Sequence, residues 1–228
     1  MLDKKISFIK RTGIINDYLV ICDHSSNKIP PKYNNLCISK KIINSHRAFD
    51  IGASEVASEL SNLLECNLVM ANFSRLLIDP NRGYDDPTLI PKISEGEIIK
   101  GNLNISLLKN DKERNKRINN FYQPYHDQIS KFINIAFSEN KIPKILSIHS
   151  FTPIWKGKKR ETDIGILWDK DDRLSEIFLS SFNNSNIGNN KPYSGRLKND
   201  TLYRHATMRG LPHVLIELRQ DLLKKKER

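Results

Sequence analysis

Three short apolar runs constrain this chain more than any other feature: Tyr18-Leu19-Val20-Ile21-Cys22, Lys144-Ile145-Leu146-Ser147-Ile148-His149 and His213-Val214-Leu215-Ile216-Glu217-Leu218. Each reads as a short buried strand, the kind that forms the middle of a parallel sheet. Helix-length stretches separate them. Residues 49–65 carry Ile51, Val56, Leu60, Leu63 and Leu64 near helical spacing, residues 113–138 form a long helical pattern, and a further helix is predicted at about 171–182. Pro124 must interrupt, kink or restart the long pattern, because it lacks an amide donor and its ring clashes with the preceding turn. Further strands are predicted at 67–71, 75–79 and 163–168. The alternation predicts an α/β fold with three layers, α/β/α, around a mostly parallel, mixed sheet.

A chain of 228 residues is long enough for one sizeable core and reads as a single domain over 1–228. Residues 83–112, rich in Gly, Pro, Asn and Asp, lack a core periodicity and are expected to form a long loop excursion over one end of the sheet. The net charge of +11 raises the question of nucleic acid. The dense basic clusters, Lys156-Gly157-Lys158-Lys159-Arg160 and Lys224-Lys225-Lys226-Glu227-Arg228, have no interleaved aromatic residues to stack on bases. Heavy use of Asn, Ile and Lys accounts for the charge as compositional drift, and no specific nucleic-acid partner is expected. Three cysteines without CxxC spacing argue for a reducing compartment. Cys22, inside a strand, reads as a small core residue. The start of the chain has no apolar leader and no run approaches a membrane span, so the expected protein is cytoplasmic.

The strands deliver reactive groups where ligands of open α/β sheets bind, beyond the carboxyl ends. Asp23-His24-Ser25 follows the first strand and His149-Ser150 ends the second. Between them, His46 and Asp50 are four residues apart and would share one face of a helix. A catalytic zinc takes three protein ligands and keeps one position open. His24, His149 and an acidic or imidazole group from 46–50 meet that count. Glu217 interrupts an apolar strand, which is costly unless the carboxylate is paired or functional. It reads either as a general base or as the partner of Arg219 or another arginine. Arg75 and Arg82 flank the run 76–79. Either they anchor an acidic substrate and stabilise an oxyanion, or they pair with Asp79, Asp85 or Asp86.

Five segments, taken in order, resemble the N-formylglutamate amidohydrolase family: Asp23–Pro30, His46–Ala53, Ser74–Arg82, Ser147–Pro153 and Leu215–Leu222. The resemblance spans about 18–223 and implies a zinc-dependent hydrolase of linear amides with the α/β/α fold of the zinc carboxypeptidases. It implies that His24 and His149 are metal ligands, that Glu217 takes the proton of the attacking water, and that Asn81 and Arg82 grip a substrate carboxylate; the reading of the residues adds Arg75 on the carbonyl and Glu217 as the later proton donor to the leaving amine. Carboxypeptidases place a glutamate three residues after the first histidine, where this chain has Asn27. Asp50 is therefore the first choice for the third ligand and His46 the second; if Asp50 binds, His46 becomes a substrate contact. Thr201 and His205, in the segment before the last strand, are further candidates for substrate or oxyanion contacts. The implied cofactor is Zn²⁺ or another divalent ion, and the implied substrate is N-formyl-L-glutamate. Another N-acyl amino acid, a short peptide, or non-catalytic small-molecule binding on the same scaffold are the alternatives.

Overall fold

The structure, a computed structural model, describes residues 3–106, 108, 111–182 and 186–223; the basic cluster at 224–228 lies outside them. An eight-stranded sheet runs through these residues: β1 (Asp3–Lys4), β2 (Phe8–Arg11), β3 (Ile15–Cys22), β4 (Cys66–Ala71), β5 (Lys144–Phe151), β6 (Ile164–Leu167), β7 (Ile187–Asn189) and β8 (His213–Arg219). Its order is β1-β2-β4-β3-β5-β8-β6-β7. The central four, β4, β3, β5 and β8, are parallel; β2 and β6 run antiparallel against β4 and β8. The sheet is therefore mixed and mostly parallel in the middle.

Five helices matter for the site: α1 (Ala53–Leu63), α2 (Lys112–Arg117), α3 (Gln123–Ser138), α4 (Arg173–Ser181) and α5 (Thr201–His205). Alternation along the strands sends side chains to opposite faces. Leu19, Ile21, Val69, Ile145 and Leu215 pack with Tyr125, Ile129 and Ile133 of α3. Val20, Cys22, Leu68, Ile148, Val214 and Ile216 pack with Ala53 and Ala57 of α1 and Leu174 of α4. Burial on both faces explains why these strands read as continuous apolar runs. Among the described residues, no helix is long and apolar enough to cross a membrane.

Several local expectations need correction. Residues 75–79 are a buried turn, not a strand: the Leu77 amide donates to Ser74 O, and the Ser74 hydroxyl donates to Ala48 O while accepting from the Leu76 amide. Leu76, Leu77 and Ile78 are apolar because they plug the core, and burial without pairing mimics a strand in sequence. Residues 46–50 are turns, not the first turn of a helix, so His46 and Asp50 do not share a helical face. The helix begins at Ala53, after Gly52 takes φ +82, which suits a residue lacking Cβ.

The excursion at 83–112 contributes Leu89, Ile90, Ile99 and Ile105 to the core. Asn102 fastens it by donating to Leu76 O and Pro91 O, and the Arg117 guanidinium donates to Asn102 Oδ1. Pro124 is accommodated at the start of α3, directly after a π-helical turn over Ile118–Tyr122 that absorbs the mismatch.

Candidate metal centre and active site

β4 lies on one side of β3 and β5 on the other, so the topological switch point falls where β3 and β5 end. His24 follows the end of β3, and His149 of β5 sits in parallel register with Glu217 of β8. Asp50 arrives from the turn before α1, held by its amide donating to His24 O at 2.8 Å.

His24, Asp50 and His149 form a buried group with ligand atoms all within 4.8 Å of one another. Asp50 Oδ2 lies 2.9 Å from His149 Nδ1 and 3.5 Å from His24 Nδ1. The outer nitrogen of each ring meets a carboxylate: His24 Nε2 is 2.8 Å from Asp79 Oδ1, and His149 Nε2 is 3.2 Å from Asp23 Oδ2. Such outer carboxylates fix the tautomer that turns the inner nitrogen's lone pair toward a metal. His24 Nδ1 is buried and, among the described residues, has no hydrogen-bond partner, as an acceptor meant for an ion would be. Two imidazoles and a carboxylate are a donor set for a catalytic divalent ion, so these residues fit one. The electrostatics agree. Burial disfavours a charged His149, yet hydrogen bonds to Asp23 and Asp50 raise it to about 10, marking a position that favours positive charge. Asn27 is elsewhere, donating to Asn44 Oδ1.

Asp23 and Asp79 hold the two histidines, a role the sequence reading gave to neither, having named Asp79 only as a partner for an arginine. Asp23 accepts from Thr201 Oγ1 at 2.7 Å and Tyr125 Oη at 2.8 Å. Burial pushes the Asp23 carboxyl upward, but hydrogen bonds from His149, Thr201 and Tyr125 hold it below the usual range. Thr201→Val should therefore weaken metal affinity or activity by about 10- to 100-fold. Competition with a chromophoric chelator reads the affinity; an unchanged affinity with unchanged turnover would refute this role.

Glu217 is buried, its Oε2 has no hydrogen-bond partner, and among the described residues it has no ion-pair partner within 4 Å. Arg219 is engaged instead by Asp163 at 2.6 Å and Asp221 at 2.8 Å. Burial raises Glu217 to about 7, with His149, Arg75 and Arg160 pulling against it and Asp50 adding to the rise. Gly165 is its register partner across β6, and a Cβ there would meet Glu217 Cβ at 3.2 Å and Lys191 O at 2.4 Å.

Arg75 Nη2 lies 3.4 Å from Asp50 Oδ1 and its Nε 3.8 Å from Asp79 Oδ2. Arg82 donates to Thr88 Oγ1 and Asn81 O and stands 4.0 Å from Asp86. A cavity of about 460 Å³ brings together His24, Asp50, His149, Glu217, Arg75, Asn81 and Arg82. His46 is outside it. Its Nε2 is 2.8 Å from Glu95 Oε2, and it lines a second cavity of about 280 Å³ that also touches Arg75 and Arg82. The hairpin Ile154–Trp155 and Lys158–Lys159 borders that second cavity through Trp155, and Arg160 lies over the Phe151, Trp155 and Tyr193 rings. Cys22 is a core thiol, pushed well up by burial.

Thr201 and His205 line neither cavity. Thr201 turns its hydroxyl to Asp23, and its amide donates to Asn81 Oδ1 at 2.9 Å. His205 belongs to a buried relay: His126 Nε2 donates to Pro80 O at 3.1 Å, so its Nδ1 accepts from His205 Nε2 at 2.8 Å. Both rings are thus neutral. Burial lowers His126 well below 6.5 and His205 to about 3, with Arg204 also pressing on both. Below about pH 6.5 the unfolded chain binds two protons that the folded chain refuses, so stability rises with pH there. Stability is complete above that value and is lost as the pH falls below it, for His205 down to about 3. Urea melts of the protein and of His205→Gln at pH 7 and 5 test this. A shallower acid loss in the variant is expected; parallel losses would contradict it.

A mixed sheet whose parallel centre gathers a buried imidazole–carboxylate group able to hold a divalent ion, with a buried glutamate beside it, defines an α/β protein with a candidate metal site. The chain belongs to the N-formylglutamate amidohydrolase family, whose sequence model matches residues 16–224. A gene product of Agrobacterium tumefaciens of known crystal structure is 35% identical, with a TM-score of 0.88 over 96% of this chain and 87% of that one. The N-formylglutamate amidohydrolase of Ralstonia eutropha JMP134 shares the fold at 19% identity, with a TM-score of 0.65 over 96% of this chain and 87% of that one. No match was found among curated proteins.

Proposed function

We propose that this protein is a cytoplasmic, zinc-dependent amidohydrolase that cleaves a small N-acyl amino acid, with N-formyl-L-glutamate the reference substrate. The observation that carries the reading is the unpartnered Glu217 Oε2 in the same cavity as the His24–Asp50–His149 group. When bound, a divalent ion supplies a Lewis acid for the amide carbonyl and makes a water acidic enough to attack at neutral pH. Glu217 Oε2 accepts the proton of the attacking water and returns it to the leaving nitrogen. Arg75, oriented by Asp50 and Asp79, donates to the oxygen on which negative charge develops. Arg82 holds a substrate carboxylate through its planar fork. Asn81, whose side-chain oxygen is taken by the Thr201 amide, leaves its nitrogen to donate beside it. Asp23 and Asp79 keep the two histidines aimed, and three free cysteines accord with a reducing compartment.

The test is glutamate release from N-formyl-L-glutamate by wild type and by Arg82→Gln. Wild-type turnover is expected, with a variant whose KM is raised by about 10-fold or more, the cost of a lost charged hydrogen bond. Turnover with an unchanged KM in the variant would remove Arg82 from carboxylate binding.

A further inference from the structure

On the amidohydrolase reading, we propose that the apolar lobe beside Glu217 is an acyl pocket and that the favoured substrate carries an uncharged acyl group much larger than formyl. The 460 Å³ cavity follows β8 inward: Glu217, Leu215 and His213 are alternate residues on one strand face, and all line it. At about 3.3 Å per residue, that span is roughly 13 Å. A formyl group is one carbon and one oxygen and would leave most of the lobe unfilled. The cavity as a whole, the region beside His24, Asp50 and His149 included, falls in the range of about 300–1,000 Å³ that buries drug-sized ligands.

The walls are Leu215 and Leu167, register partners across β8 and β6, together with Trp168, Leu197 and Leu202. At its far end His213 offers no free N–H. His213 Nδ1 donates to Leu211 O at 2.8 Å, and its Nε2 accepts from the Thr207 hydroxyl at 3.2 Å. Asp169 and Asp200 add carboxyl groups to the lining, which further disfavours a second carboxylate there.

Guanidinium groups collect on the other side. Arg47, Arg75 and Arg82 line the 280 Å³ cavity together with Asp50, Asp79 and Glu95, and that cavity meets the first at Asp50, Arg75, Arg82, Ser150 and Tyr193. An amide is planar and trans, so the two halves of an N-acyl amino acid leave the scissile bond in opposite directions. With the carboxylate half drawn to the arginines, the acyl half enters the apolar lobe.

The experiment titrates zinc-loaded Glu217→Gln protein calorimetrically with N-formyl-, N-butanoyl- and N-hexanoyl-L-glutamate, and assays the wild type on the same series. Each methylene that enters the lobe is worth about fourfold in affinity, so hexanoyl should bind at least about tenfold more tightly than formyl and show the higher kcat/KM. Leu197→Trp fills the lobe at a position where the leucine is 45% exposed, so the fold should tolerate it. It should cut the hexanoyl-to-formyl preference by about tenfold. Formyl turned over at least as well as hexanoyl, with no gain in binding along the series, would overturn the acyl pocket and leave the amidohydrolase reading standing. A preference for N-formyl-L-leucine over N-hexanoyl-L-glutamate would also overturn it, giving the lobe to the amino-acid side chain. Neither binding nor turnover of any member would overturn both.

Discussion

Glu217→Gln is expected to lower kcat by about 10³-fold while leaving metal content and fold unchanged, within the usual range for losing a general base. Glutamine keeps the volume and one oxygen but cannot take up a proton at neutral pH. The native carboxylate stands on a rigid central strand, beside Gly165, with Oε2 unpartnered. Nothing structural depends on its charge, so the loss should fall on turnover and not on stability. A structural ion pair would behave oppositely: removing its charge would lower the melting temperature and spare kcat. Arg219 is held by Asp163 and Asp221, which leaves no such pair there to break. Steady-state kinetics with a thermal melt of both proteins separates the two outcomes.

The second large effect concerns the third ligand. Asp50→Ala should cost more metal affinity than the 10- to 100-fold expected for an outer partner, because it removes a donor from the group itself. His46→Ala should leave metal affinity unchanged, since His46 pairs with Glu95 in the neighbouring cavity. Equilibrium titration of both variants with zinc decides between them. Loss of binding in the His46 variant, with Asp50→Ala unaffected, would reverse the assignment.

The parts of this structure legible in sequence were those fixed by burial on both faces of a central strand. Val20, Leu146 and Val214 had to lie in the sheet, and His24, His149 and Glu217 followed at its carboxyl edge. Turns built on side-chain hydrogen bonds were not legible. Ser74 folds 75–79 back on itself, and the apolar content of that segment imitates a strand. The small pairings of β1, β2 and β7 carry too few residues to show a period. The carboxylates behind the histidines were hidden for another reason. Asp23 precedes His24 in the chain yet serves His149, whereas Asp79 reaches His24 across 55 positions. The His126–His205 relay likewise joins residues 79 positions apart. Asp50 was legible as a candidate because it and His46 lie together between the two strand-end histidines, and Asn27, standing where the resemblance implies a carboxylate ligand, put Asp50 ahead of His46.

The most direct measurement is the recovery of N-formyl-L-glutamate hydrolysis as zinc is added stepwise to chelator-treated protein. Activity is expected to be absent without metal, to rise linearly, and to saturate at about one equivalent, as one three-residue donor group requires. Hydrolysis that persists at full rate in the chelated protein would contradict a metal-dependent site.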